Sequence, residues 1–133
     1  MKLTSRSEYA LLALLFLARH GSEDLVSVES IAKAQGIPPK FLEQILLTLK
    51  RARYLRSSKG HHGGYALAKA SDKISLAEVI RLFDGALAPT ESVSVYFFEH
   101  TPIEKEKNLI KVFREIRNYV SKKLEHTTLE DLI

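Results

Sequence analysis

There is no cysteine among the 133 residues, and its absence removes thiolate metal sites, cysteine nucleophiles and redox disulfides together. No apolar run approaches the roughly 20 residues that a membrane-spanning helix needs; the most apolar, Ala10–Ala18, falls far short. Internal repeats and low-complexity tracts are also missing. So are the G-x-S-x-G elbow, the Walker loop, the dinucleotide fingerprint and the H-E-x-x-H pair. Gly63-Gly64 lies between two strand-like segments, not ahead of a helix where a phosphate would dock. Ser57-Ser58 and His61-His62 have no orienting acid in sequence reach, so no catalytic constellation forms and the chain is not expected to be an enzyme.

What is present is an ordinary globular composition, 45% hydrophobic and 27% charged, in the size range of one domain. A chain this long buries roughly two thirds of its unfolded surface and needs no metal or disulfide staple. Met1-Lys2 and Arg6 followed by the Ala10–Ala18 run imitate a secretory signal, but Arg19-His20-Gly21 follows where small cleavage-site residues would stand. A buried first helix over Ser5 to His20 accounts better for the segment, with Ser5 and Glu8 as a capping box and His20-Gly21 as its end. A cytoplasmic protein is expected.

Charge is unevenly placed. Residues 1–74 carry twelve Lys/Arg against six Asp/Glu, a balance of +6, whereas residues 75–133 carry eight against ten, a balance of −2. Between Pro38 and Tyr65 lie Lys40, Lys50, Arg51, Arg53, Arg56 and Lys59, opposed by Glu43 alone. A polyanion is the natural partner of such a surface.

Ser27 reads as the N-cap of a short helix that Gly36 stops. Pro38-Pro39 then opens another, with Phe41, Leu42, Ile45, Leu46 and Leu49 as its buried stripe. Two short helices about a tight turn have helix-turn-helix spacing, and the second would present Pro39, Lys40, Glu43 and Gln44 near its N-terminus, where base edges are read. Tyr54–Ser57 and Tyr65–Ala68 are strand-like and flank a glycine-containing, basic tip, the pattern of a β-hairpin wing. A Ser75-x-x-Glu78 capping box begins a helix with Leu76, Val79, Ile80 and Phe83 on one face. Ala86–Thr101 has poor periodicity and Pro89, and reads as an irregular connection. Beyond Pro102 a long helix carries Leu109, Phe113, Ile116, Val120 and Leu124 at steps of four, three, four and four, a seam suited to a partner helix, most simply from a second copy. Thr127 or Thr128, with Glu130 or Asp131, caps a short last helix.

In this order the elements resemble the bacterial winged-helix repressor family of the IscR, NsrR and CymR type. The resemblance rests on Met1-Lys2-Leu3-Thr4-Ser5-Arg6, Ile31-Ala32 with Gln35-Gly36-Ile37, Phe41-Leu42-Glu43-Gln44-Ile45-Leu46, Lys59-Gly60 with Gly63-Gly64-Tyr65, and Thr128-Leu129-Glu130-Asp131-Leu132. It covers nearly the whole chain. It implies a mainly α fold with a small β-hairpin wing, divided into a winged helix-turn-helix DNA-binding domain (1–85), an irregular connection (86–101), and a dimerisation helix with a short terminal helix (102–133). It also implies a homodimeric repressor that binds double-stranded DNA at a near-palindromic operator.

By the same resemblance Glu43 reaches a base edge, Lys40 lies beside it on a base or phosphate, and Lys59 enters or flanks the minor groove. Ser57, Ser58 and Tyr65 position phosphates. Lys50, Arg51, Arg53, Gly60 and His61 complete the expected DNA-binding set. His61 and His62 stand where the family commonly has proline and glycine, and Arg53 where it has a small residue. Ser92 occupies the place of the first of three cluster-ligating cysteines, and Glu8 matches a carboxylate that some members use. One carboxylate cannot hold a cluster, so a regulator without cofactor or metal is expected.

Other readings stand beside these. His61-His62 is read as a solvated wing tip, since adjacent histidines lack ligand spacing. Glu43 could instead pair with Lys40 or Lys50 on a helix surface. Tyr96, Phe97 and Phe98 are read as core or dimer packing in preference to an effector pocket. The whole basic face could belong to a winged-helix interaction module that docks an acidic partner. A small-molecule effector, a protein effector and constitutive binding are all left open, and no membrane role is expected.

Overall fold

The structure is a computed structural model and describes residues 1–133. Five α-helices and one antiparallel hairpin occur in the order α1 (Ser5–His20), α2 (Val28–Gln35), α3 (Pro39–Arg51), β1 (Leu55–Ser58), β2 (Gly64–Leu67), α4 (Leu76–Asp84) and α5 (Lys107–Glu125). Short 3-10 turns cover Ser71–Lys73, Glu91–Val93, Pro102–Lys105 and Glu130–Leu132. No helix is long and apolar enough to cross a membrane.

Local sequence explains most of the helix ends. Ser27 caps α2 by accepting from the Ser30 amide at 3.1 Å, and Gly36 ends it at φ 66°, a left-handed conformation that glycine adopts without strain. The Ser75–Glu78 capping box closes in both directions, with the Ser75 amide donating to Glu78 Oε2 at 2.8 Å and the Glu78 amide to Ser75 Oγ at 3.2 Å. At α1 the expectation needs correction. Thr4, not Ser5, is the N-cap, accepting from the Ser7 amide at 3.4 Å. Thr4 is favoured because Asp84, distant in sequence, fixes it by accepting from its amide at 3.1 Å.

The main core joins Ala10, Ala13, Leu14 and Leu17 of α1 to Ile31 of α2 and to Leu42, Ile45, Leu46 and Leu49 of α3. Phe41 departs from the expected stripe: it is 39% exposed and meets Tyr9 edge-on, ring centroids 5.5 Å apart. It lies at the edge of the face that α3 turns toward α1, where the ring is half covered. The hairpin pairs Leu55 with Leu67 and Ser57 with Tyr65, each strand displaced by one residue from the sequence expectation. Val26 and Tyr65 exchange two backbone hydrogen bonds of 2.8 Å each, so the chain ahead of α2 forms a one-residue third rung. A side chain at Gly64 would collide with the Val26 carbonyl.

Residues 86–101 are irregular apart from one 3-10 turn. Tyr96, Phe97 and Phe98 are exposed there, which overturns core packing for them; Tyr96 lies under the Arg81 guanidinium, 4.7 Å from its carbon to the ring centroid. The chain then enters α5, which packs on α4: Val120 and Leu124 lie against Ala77, Ile80 and Leu87. Arg81 pairs with Glu125 at 2.6 Å across the same contact. After α5 the chain returns to the start of α4, with the Leu129 amide donating to the Ile74 carbonyl at 3.0 Å and the Leu129 side chain fully buried in the main core.

Candidate nucleic-acid interface

Helix α3 buries Leu42, Ile45, Leu46 and Leu49, so Lys40, Glu43, Gln44, Leu47, Lys50 and Arg51 face outward. Pro39 occupies the first turn, where its missing amide hydrogen costs nothing. Helix and wing enclose an open cleft of about 380 Å3 bordered by Lys50, Ser57, Ser58, Lys59, His61 and Tyr65, with Gly60 at its rim. The structure therefore gathers the expected wing residues and Lys50 around one concavity. Pro39, Lys40, Glu43 and Gln44 lie outside it on the N-terminal half of α3, and Arg51 and Arg53 at that helix's C-terminal end.

None of Lys40, Lys50, Arg51, Arg53 and Lys59 forms an ion pair, and neither does Glu43. The surface-pair reading of Glu43 with Lys40 or Lys50 thus has no counterpart here. Glu43 acts instead on the wing. Tyr65 has its phenol pKa raised, by burial first and then by the Glu43 charge, so the recognition-helix carboxylate and the wing tyrosine share one neighbourhood. Arg56 is a different kind of cation: its guanidinium donates to the Ser22 carbonyl at 2.5 Å and is spent on holding the loop before α2.

Arg53 stands apart as the one non-glycine residue at positive φ, 70°. Its amide donates to the Lys50 carbonyl at 2.9 Å and the Tyr54 amide to the Leu49 carbonyl at 3.0 Å, the double bond of a Schellman helix ending. Tyr54 continues inward, donating to Glu78 Oε1 at 3.3 Å. Its pKa is pushed up to about 12, by burial first and then by Glu78.

Sequence reasoning missed Leu47, Ser27 and Glu29, which also border the cleft. Leu47 had a signal, being an apolar residue off the buried stripe of α3 and 40% exposed. Ser27 and Glu29 had none, because only the fold brings the start of α2 beside the wing. His61 and His62 stack edge-on at 5.0 Å between centroids, and no three His, Asp or Glu side chains are grouped to hold a metal ion.

Helix, turn, helix and wing in this arrangement recur in known proteins. The family model for Rrf2, described as an iron-dependent transcriptional regulator, matches residues 3–133. This chain belongs to the Rrf2 family. A Mycobacterium tuberculosis protein assigned as an HTH-type transcriptional regulator is 37% identical over 132 residues, spanning 99% of this chain and 81% of its own. The HTH-type transcriptional regulator CymR of Bacillus subtilis is 31% identical over 132 residues, spanning 99% of this chain and 89% of its own. The solved structure of that CymR, titled the global cysteine regulator, aligns with a TM-score of 0.80 at 30% identity, covering 99% of this chain and 95% of CymR. A solved IscR from T. potens aligns with a TM-score of 0.70 at 29% identity, over 99% and 85% of the two chains.

Membership makes this chain a DNA-binding transcriptional regulator and not an enzyme. The family's iron dependence does not carry over to its residues as an iron-sulfur site. There is no cysteine, and Ser92 is a buried hydroxyl that accepts from Thr101 Oγ1 at 2.6 Å, a neutral oxygen where a thiolate ligand would be needed.

Proposed function

We propose that this Rrf2 protein is a homodimeric repressor that reads a near-palindromic operator without a cofactor, in the cytoplasm. The observation that carries the reading is the continuity between the outward face of α3 and the wing, whose basic side chains are exposed and unpaired. Helix α3 enters the major groove with Pro39, Lys40, Glu43 and Gln44 leading. Glu43 accepts from a cytosine amino group, the base edge a carboxylate suits, and Lys40 takes an adjacent base or phosphate. Lys50, Arg51 and Arg53 follow the phosphate backbone. Ser57, Ser58 and Tyr65 position phosphates at the wing, while Lys59, Gly60 and His61 bring the tip to the minor groove.

Residues 1–85 form the DNA-reading part, 86–101 the connection, and 102–133 the pairing part. A second copy is the partner that α5 requires. Leu109, Val112, Ile116 and Tyr119 are all exposed and succeed one another at steps of three, four and three, so they form one stripe along the helix. That stripe adjoins the one occupied by Phe113, Val120 and Leu124, which pack on this chain's own core. An exposed apolar seam of this kind marks an association surface.

The test is selection from a randomised duplex library at near-physiological salt. A recovered inverted repeat with half-sites about one helical turn apart supports the dimeric repressor. Recovery with no shared sequence overturns it and favours a basic surface for an acidic protein partner. Repression, as against activation, is read by placing the recovered site in a reporter promoter and comparing output with and without the protein.

A further inference from the structure

A second pocket lies away from the DNA-reading surface, where the connection meets the first turns of α5. Its volume of about 350 Å3 is at the lower end of small-molecule sites. Ser92, Glu104, Lys107, Ile110 and Arg114 line it. Ser92 is only 8% exposed and is held in place by its neighbour. The Val93 side chain packs with Ala88 and Ile110, and the Val93 carbonyl accepts from Arg117 Nη1 at 2.8 Å.

Ser92 ends a short chain of hydroxyls. Thr90 Oγ1 donates to Thr101 Oγ1 at 3.5 Å, and Thr101 Oγ1 donates to Ser92 Oγ at 2.6 Å. Ser92 Oγ is thus hydrogen-bonded within the chain, and its hydroxyl is free to turn its proton toward the pocket. An anionic ligand oxygen in this pocket would offer that hydroxyl a charge-assisted hydrogen bond, stronger than one between two neutral hydroxyls.

The surrounding charges favour the same ligand. Lys107 and Arg114 form no ion pair. They lie about two helical turns apart on either side of Ile110, and helical side chains lean toward the N-terminus, so Arg114 inclines toward Lys107. Glu106, the N-cap of α5, makes no side-chain cap, which leaves the positive end of a 19-residue helix at the same place. Glu104, the one carboxylate lining the pocket, is already engaged: its Oε2 accepts from the Thr101 amide at 3.0 Å and pairs with His100 Nδ1 at 3.0 Å. The lining therefore sets two unpaired cations against one engaged carboxylate.

We propose that this pocket is a binding site for a small oxyanion-bearing metabolite, a carboxylate or a phosphate, held between Lys107 and Arg114 with Ser92 donating to it. The site abuts the helix carrying the exposed seam, which is where a ligand would influence the relation between two copies.

The test is a titration of the full chain with inorganic phosphate in one arm and succinate in another, followed by amide chemical shifts at ionic strength held constant with chloride. Saturable shifts at Ser92, Thr101 and the first turn of α5 are expected in at least one arm, and the arm that saturates assigns the class. The K107Q/R114Q double variant should weaken that binding at least tenfold. S92A, which changes no charge, should weaken it several-fold, and K59A should leave it unchanged. Both arms flat, shifts confined to Lys50–Lys59, or undiminished binding in K107Q/R114Q would each overturn the site. The readout involves no DNA, so failure of the repressor reading would leave this result standing.

Discussion

The Thr4 hydroxyl donates to Asp84 Oδ1 at 2.5 Å, fastening the first turn of α1 to the last turn of α4. Burial alone would raise the Asp84 pKa, but the Thr4 hydroxyl and amide donors, with the Arg6 charge nearby, bring it below the ordinary carboxylate value. Glu78 is lowered in the same way: donors from Ser75 and the Lys69 ammonium outweigh its burial.

A depressed folded pKa gives stability that is present above the unfolded value, about 3.9 for Asp, and lost as pH falls through the folded value. Asp84→Asn should therefore cost about 1 kcal/mol at neutral pH and flatten the acid limb of the stability curve. Urea midpoints at pH 7 and from pH 5 down to pH 2 check both effects. An unchanged acid limb would show that Asp84 does not contribute to it.

At the end of α3, Arg53 holds a left-handed conformation that costs a non-glycine residue about 1–3 kcal/mol. Arg53→Gly should raise stability by about 0.5–1 kcal/mol, the relief being partly offset by the greater freedom of glycine in the unfolded chain. The same change should weaken DNA binding and lower the salt slope by about one unit. Denaturant unfolding and binding at several salt concentrations separate the two. Loss of stability would refute the strain account.

Glu43 and Lys59 should fail in different ways. Lys59→Ala is expected to weaken binding to many sequences alike and to reduce the salt slope by about one unit, whereas Glu43→Ala should relax preference at one base pair per half-site. Competition with single-base variants of the recovered operator measures both. Equal loss on every sequence for Glu43→Ala would remove its reading role.

On α5, Val112→Glu with Ile116→Glu should yield a folded monomer in sedimentation, since both side chains are exposed. Val120→Glu should instead unfold the α4–α5 contact, because Val120 packs against Ala77, Ile80 and Leu87 and would bury an unpaired charge. Circular dichroism alongside sedimentation distinguishes the outcomes. A dimer that survives the double substitution would move the interface away from this stripe.

What was legible in the sequence was whatever local chemistry decides. The Ser75–Glu78 box, the Ser27 cap and the Gly36 stop each lie within one or two turns, and the hairpin was visible from its glycines. The N-cap of α1 lies one residue before the one local spacing suggests, because the partner that selects Thr4 is Asp84, 80 positions away. On α5, apolar spacing showed a stripe from Leu109 to Leu124 but could not show which part meets the chain's own core. Phe113, Val120 and Leu124 do, while Val112 and Tyr119, absent from the expected seam, are exposed. The oxyanion pocket was invisible for the same reason: Ser92 and Lys107 become neighbours only through the path of an aperiodic loop.

The paired bonds between Val26 and Tyr65 make the wing root and the entrance to α2 a single stiff plate, with the Arg56 bond to the Ser22 carbonyl as a second rivet. The proposed reading head is then a calliper jaw whose root is braced on two sides. In the dimer proposed above, a signal that leaves these jaws alone would be written into the gap between them, the distance set by α5.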